Sequence, residues 1–338
     1  MGGKKPTLVD LARAADVSLA TVDRVVNGRG GVAPEKEARI VAAARLLRLD
    51  RALTHRPQRT LRVAVLIQSP KNPFHAALKA GLDHALPLFS EMNIQFLVHH
   101  INPNDPVRLA ALIRAQAQTS DGMIVTVPDE PSVAEALRTA ALQRPLVTLA
   151  TDVVDSGRAA YIGPDDRKSG RVAGDLFGRF LGRAGGRVAM VVGLREIGGH
   201  REREAGFREI IAERYPQLSL GPILESGEDA ERAGRLVFDA FGKDRDLRGL
   251  YHSSAGAVPA VEALSQLGRA VDTVFVTHEL TPDRRRLLQL RQIDAVIDQN
   301  PELEMRIAME IMARLQNRLV GDTTSVITDV RIHMAENA

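Results

Sequence analysis

From Leu61 to the C-terminus, short apolar runs alternate with stretches of helical periodicity. Val63–Ile67 precedes Pro73–Phe89, Ile94–Val98 precedes Pro106–Gln118, and Met123–Val127 precedes Pro131–Leu142, with Leu146–Leu149 closing the series. After Tyr161-Ile162 the alternation restarts with Asp166–Leu181, Val188–Val192 and Gly199–Ala212, and it runs on to Ala295–Ile297 and Pro301–Leu319. Continuous apolar runs are what strands buried on both faces carry. Strand–helix alternation of this kind predicts an α/β fold, with parallel sheets covered by helices on both faces. The series holds about twice the units that one small sheet needs, so two similar lobes are expected.

The first sixty residues read differently. Thr7 can cap a helix Leu8–Ala15, Asp16-Val17-Ser18 forms a tight turn, and Ser18 caps a second helix, Leu19–Val26. Val22, Val25 and Val26 make its apolar stripe, and Asn27-Gly28 ends it with residues that tolerate left-handed backbone. After a Gly-rich loop, Pro34 opens a third helix with Ile40, Ala43, Ala44 and Leu47 inside. Asp50–Thr60 is polar and aperiodic, a linker. The expected division is an all-α head at 1–49, a linker or hinge at 50–60, and a two-lobed body at 61–338.

Charge separates along the same line. Residues 1–59 carry 12 Lys/Arg and 6 Asp/Glu, a net of +6 against +3 for the whole chain, so the body carries −3. A short basic head on an acidic body is the electrostatic footprint of a nucleic-acid-binding module joined to something else. No cysteine is present, which excludes disulfides and thiolate chemistry. No apolar run is long enough for a membrane span, and no signal-peptide core follows Met1-Gly2-Gly3-Lys4-Lys5, so a cytoplasmic protein is expected. Phosphate-binding loops, nucleophile elbows and His-Glu-x-x-His helices are missing. No catalytic residue, cofactor or metal is expected, and adjacent His99 and His100 would point to opposite faces of a strand.

The stretch from Thr7 to Asn27 closely resembles the helix-turn-helix of LacI/GalR-type regulators. The likeness includes Ala15 before the turn, the Val-Ser turn, Ala-Thr-Val at the start of the second helix and Arg-Val-Val-Asn at its end, with Val32-Ala-Pro-Glu downstream. The resemblance implies that the second helix enters the major groove of operator DNA as part of a homodimer. Leu19 and Ala20 would meet base edges, where they can touch thymine methyls, and Arg24 would read guanine. Thr7, Ser18, Thr21 and Asn27 are candidates for phosphate contacts, though Thr7 and Ser18 also serve as caps. Asp23 stands where the family commonly has Ser, which DNA tolerates only if Arg24 or Arg29 neutralises it. The linker lacks the family's hinge-helix motif and wedge Leu, leaving Arg51, Arg56 and Arg59 for phosphate or minor-groove electrostatics, and Arg29 is a further candidate for DNA contact.

From Leu61 onward the chain looks like the effector domain of the same family, itself similar to periplasmic ribose-type binding proteins. That implies an N-lobe of about 61–163 plus 300–325 and a C-lobe of about 166–298 plus 328–338. Crossovers fall near Gly163–Asp166, Asp298–Pro301 and Thr324–Asp329, with a ligand in the cleft at the strand ends. The matching positions are Asn72, Phe74, His75, Asp152, Arg203, Ser253, Glu279, Asp298 and Gln299. Planar donors and acceptors around one aromatic face suit a small sugar, polyol or cyclitol. With few aromatics and no Trp, an oligosaccharide fits less well. Two other classes remain open at this point: a stand-alone solute receptor, and a sugar-modifying enzyme with an accessory DNA-binding head.

Overall fold

The structure, a computed structural model, describes residues 6–27, 29, 31–47, 49 and 59–338. Arg51 and Arg56 lie outside the described residues. The chain divides into two compact units, Met1–Thr60 and Leu61–Ala338.

In the first unit, α1 (Leu8–Ala14), α2 (Leu19–Val26) and α3 (Pro34–Leu46) surround a small core. Leu11, Val22, Val25, Ile40 and Ala44 are almost fully buried in it. Thr7 and Asp10 form a reciprocal capping box on α1, and Ser18 Oγ accepts from the Thr21 amide at 3.2 Å on α2. The turn between them passes through Asp16 at φ +51° and is tied down by Arg39 of α3, whose Nη2 donates to Ala15 O at 2.6 Å. Asn27 differs from the sequence expectation. It ends α2 at φ −93°, outside the left-handed region, and its side-chain amide instead donates to Asp23 Oδ1 at 2.6 Å.

The second unit holds two six-stranded sheets. The first contains β1 (Leu61–Gln68), β2 (Ile94–Ile101), β3 (Gly122–Val125), β4 (Leu146–Leu149), β5 (Ala160–Pro164) and β11 (Val326–Thr328), in the order β11-β5-β4-β3-β1-β2 and parallel throughout. Along β1, Val63, Val65 and Ile67 pack with α4 (Pro73–Ala85) and α12 (Pro301–Leu315), while Ala64 and Leu66 pack with α5 (Pro106–Thr119) and α6 (Pro131–Ala141). Burial on both faces explains why the strand reads as an unbroken apolar run. Helix α4 stops at Ala85, earlier than the periodicity suggests, and a 3₁₀ segment from Leu86 to Met92 containing Pro87 follows.

The second sheet contains β6 (Gly186–Val192), β7 (Leu218–Glu225), β8 (Leu247–His252), β9 (Val274–His278), β10 (Ala295–Asp298) and β12 (Arg331–His333), ordered β12-β10-β9-β8-β6-β7, with β12 antiparallel. Helices α7 (Asp166–Leu181) and α8 (Gly198–Arg214) cover one face. On the other lie α9 (Ala230–Lys243), α10 (Ala257–Gln266) and α11 (Pro282–Gln289). The chain passes between the sheets three times, at Pro164–Asp166, Asp298–Pro301 and Thr328–Arg331. The last passage lies a few residues beyond the sequence expectation, because Val326–Thr328 still pairs with β5. A three-residue strand is too short to carry a periodicity that the sequence could display.

Candidate functional sites

On the head, capping and packing leave one face of α2 outward. Leu19, Ala20 and Arg24 are exposed, and the Arg24 side chain enters no hydrogen bond or ion pair with a described residue. Asp23 is neutralised locally, since Arg29 Nη1 lies 2.9 Å from its Oδ2 and Asn27 holds the other oxygen. The carboxylate that would repel a phosphate is therefore masked, at the expense of engaging Arg29 and Asn27. Ser18 and Thr21 also bond to each other, at 2.8 Å between their hydroxyl oxygens.

In the second unit, the C-terminal ends of both sheets converge on a cleft, the place where α/β sheets bind small molecules. Seven of the nine residues marked from sequence line it: Asn72, Phe74, His75, Arg203, Ser253, Glu279 and Gln299. Asn72 is the N-cap of α4, where its side chain accepts from the Phe74 amide at 3.1 Å, so its amide group is left to face the cleft. Gln299 follows β10 in the second crossover, and Arg203 lies one turn into α8. The lobes are bridged across the opening. Asn72 Nδ2 donates to Glu228 Oε2 at 2.9 Å, Asn104 Nδ2 to Gly227 O at 3.2 Å, and the Asp129 amide to Glu196 O at 2.8 Å.

The charged groups at the cleft form a chain. Arg203 Nε donates to Asp166 Oδ1 at 2.8 Å and its Nη2 to Gln299 Oε1 at 3.3 Å, while Nη1 stands 3.9 Å from Glu279 Oε1. Arg284 Nη1 lies 3.5 Å from Glu279 Oε2, and its Nη2 donates to Ser254 O at 2.6 Å. Desolvation works against the Arg203 charge, but Asp166 and Glu279 outweigh it and hold its pKa above the ordinary value. Burial pushes the carboxyls of Asp166 and Glu279 up and the guanidinium of Arg284 down, each opposed by its ion-pair partner. A guanidinium starts so far above neutrality that both arginines remain cations. Burial also drives the imidazoles of His75, His200 and His252 down to about 3, and that of His278 well below its usual value, so all four are neutral. Glu228 is the remaining titratable wall residue. Desolvation, with Glu279 nearby, pushes its carboxyl up to about 7.

Two residues marked from sequence are placed elsewhere. Asp152 does not line the cleft: Arg158 grips its two oxygens at 2.5 Å each, and Thr148 donates to it at 2.9 Å. Asp298 is likewise outside the lining, and its Oδ1 accepts from the Leu280 amide at 3.0 Å, fastening β10 to the turn after β9. Both carboxylates already have their partners inside the protein. Conversely, sequence reading missed Gln68, His200, Glu228 and Arg284, all in the lining. Arg284 could have been found from helical phase, because Thr281, Arg284 and Leu287 face inward while Arg285 and Arg286 are exposed. His99 and His100 take no part in the cleft, and among the described residues no cluster of three or more His, Asp or Glu is arranged to hold a metal ion. No helix among the described residues is long and apolar enough to cross a membrane.

Comparison with known proteins bears on both units. Residues 63–319 match the periplasmic binding protein domain family, and residues 7–48 match the lacI family of bacterial regulatory proteins. Catabolite control protein A of Staphylococcus aureus is 25% identical over 243 residues, covering 69% of each chain. The maltose regulon regulatory protein MalI of Escherichia coli is 28% identical over 242 residues, covering 69% of this chain and 67% of its own. Among solved structures, a glucose-galactose binding protein from Geobacillus stearothermophilus superimposes with a TM-score of 0.74 at 20% identity, over 83% of this chain and 99% of its own. A solute binding protein from Bacillus halodurans with bound myo-inositol gives a TM-score of 0.74 at 16% identity, over 82% and 96%. With a helix-turn-helix head, a two-lobed cleft domain and relatives that are regulators rather than enzymes, this chain belongs to the LacI family of ligand-responsive, DNA-binding transcription regulators.

Proposed function

We propose that the protein is a cytoplasmic repressor that senses a small polyhydroxylated metabolite (a sugar, polyol or cyclitol) and acts as a homodimer on a pseudo-palindromic operator. The observation that carries this reading is the cleft. It is walled by planar hydrogen-bonding side chains from both lobes, in a chain that also presents an exposed recognition helix. Arg203, Glu279, Gln299 and Asn72 can each bond two hydroxyls or one hydroxyl bidentately. Phe74 offers its ring to an apolar sugar face, and His75 and Ser253 complete the wall. The names of relatives point the same way, since one is a maltose regulon regulator and two structural neighbours bind glucose-galactose and myo-inositol.

Closure of the lobes on a ligand changes the geometry of the first lobe, and the head responds with a change in operator affinity. Coupling of this kind is about 1–3 kcal/mol, or roughly 5–150-fold, and is reciprocal. A thermal-shift screen of monosaccharides, polyols and cyclitols identifies the effector, because a ligand bound only by the folded state raises the melting temperature. Operator affinity is then measured with and without saturating effector, and effector affinity with and without operator. Equal affinities in both comparisons refute the regulatory reading.

On the head, Arg24→Ala is expected to cost about 1–3 kcal/mol at one base pair and to relax discrimination there. Binding measured across single-base operator variants checks this. A uniform loss on every duplex, with a shallower salt slope, would instead make Arg24 a phosphate contact.

A further inference from the structure

We infer that the effector carries a primary amine, and that Glu228 is the seat of its ammonium group. This rests on the polyol reading above and specifies which class of polyol the same cleft takes. The argument begins with charge. Asp166 and Glu279 are each paired with a guanidinium, Arg203 and Arg284 are each paired with a carboxylate, and the two signs cancel. The buried histidines are neutral. Glu228 is left over. No Lys, Arg or His among the described residues forms an ion pair with it, and its one hydrogen bond is the neutral donor Asn72 Nδ2 at 2.9 Å. Its second oxygen, Oε1, which lies against Gly193, has no hydrogen-bond partner among the described residues, on a side chain that lines the cleft.

The backbone supports a task for this side chain. Glu228 sits at φ +63°, in the left-handed region where glycine is the default residue. Its carboxylate also rests where a Cβ at position 193 would stand, a berth open only because residue 193 is glycine. A non-glycine residue held in such a conformation at a cleft wall points to function. The complementary ligand group is a cation. A metal ion is disfavoured, since no set of three His, Asp or Glu ligands converges there among the described residues. A carboxylated sugar would face Glu228 and Glu279 together, while the charge of each arginine is already balanced by a carboxylate. An ammonium on a monosaccharide-sized ring meets Glu228, leaving the ring hydroxyls to Arg203, Gln299 and Asn72.

The test uses matched sets on the full-length protein, read by calorimetry: D-glucose, D-glucosamine and D-glucuronate, their galacto and manno counterparts, and myo-inositol against an inosamine. In the set that binds, the amine is expected to bind at least tenfold more tightly than its neutral partner and the uronate more weakly than both. Glu228→Gln should collapse the amine-to-neutral ratio to near one. If that variant does not fold, the wild-type ranking alone decides. The groups facing Glu228 are Glu279, Arg284, Arg203, Asn72 and the neutral His75 and His200. Its carboxyl, pushed up to about 7 by burial, must be ionised to hold an ammonium. Amine affinity should therefore weaken by up to about tenfold per pH unit below 7, with a proton released on binding at pH 6. Neutral polyols binding as tightly as their amines overturns the amine assignment and leaves the polyol reading intact. Failure of every member to bind overturns both.

Discussion

Replacing Arg203 with alanine will destabilise the protein by about 3–5 kcal/mol and abolish effector binding. Removing one partner of a buried ionic cluster costs this much because the other charges are left uncompensated, whatever the net worth of the intact pair. Arg203 is 5% exposed and reaches three structural elements. From α8 it holds Asp166 at the first crossover, Gln299 at the second, and Glu279 after β9. Without the guanidinium, Asp166 and Glu279 can relieve their isolation only by taking up protons, and burial already raises both. A carboxyl whose folded pKa lies above its unfolded value contributes stability at low pH that is lost as pH rises through the folded value. The deficit of Arg203→Ala should therefore be larger at pH 8 than at pH 5, as urea unfolding at the two values will read. Adding Asp166→Asn should recover part of the stability and none of the binding. A loss below about 1 kcal/mol would mean that water enters and solvates the cluster.

The parts of this architecture that were legible in the sequence are those where burial imposes a pattern. Strand β1 is buried on both faces and shows as a continuous apolar run, and α2 matches its expected span because Ser18 caps it and Val22 and Val25 fix its phase. Strand ends located the cleft, since that is where α/β sheets bind ligands. They did not reveal which polar side chains remain available there. Asp152 and Asp298 are at such ends, yet Arg158 and the Leu280 amide claim them. Both partners are loop or crossover contacts with no spacing rule. Glu228 was invisible for the opposite reason. It follows the half-buried edge strand β7, and its importance comes from what fails to pair with it. Arg284 was hidden in the run Arg284-Arg285-Arg286, which reads as surface charge until helical phase turns its first member inward.

Gly170→Ala will cost about 3 kcal/mol and weaken effector binding, although the change adds only one methyl group. Helices α7 and α8 approach through reciprocal glycines. A Cβ at Gly170 would stand 2.8 Å from Arg203 Cα and closer still to the Arg203 carbonyl oxygen, and a Cβ at Gly206 would meet the Arg167 backbone in the same way. Further along α7, Gly174 and Gly178 continue the stripe, where a Cβ would press on Ile210 and the Tyr215 ring. Overpacking usually costs about 1–3 kcal/mol because side chains can shift. Here the obstacle is helical backbone, so the helices must separate and the full penalty applies. Since the obstructing carbonyl belongs to Arg203, separation also withdraws its guanidinium from Asp166 and Gln299. Gly242→Ala is the control. It lies in α9, with its nearest non-local atom at 3.8 Å, so the same substitution should stabilise by about 0.5–1 kcal/mol through helix propensity. Thermal or urea unfolding should thus show opposite signs at positions 170 and 242. The double variant Gly170→Ala/Gly206→Ala should fall short of additivity, because the first change has already opened the gap that the second would need. Equal effects at 170 and 242, or strict additivity of 170 with 206, would rule out close approach of α7 and α8 as what seats the arginine.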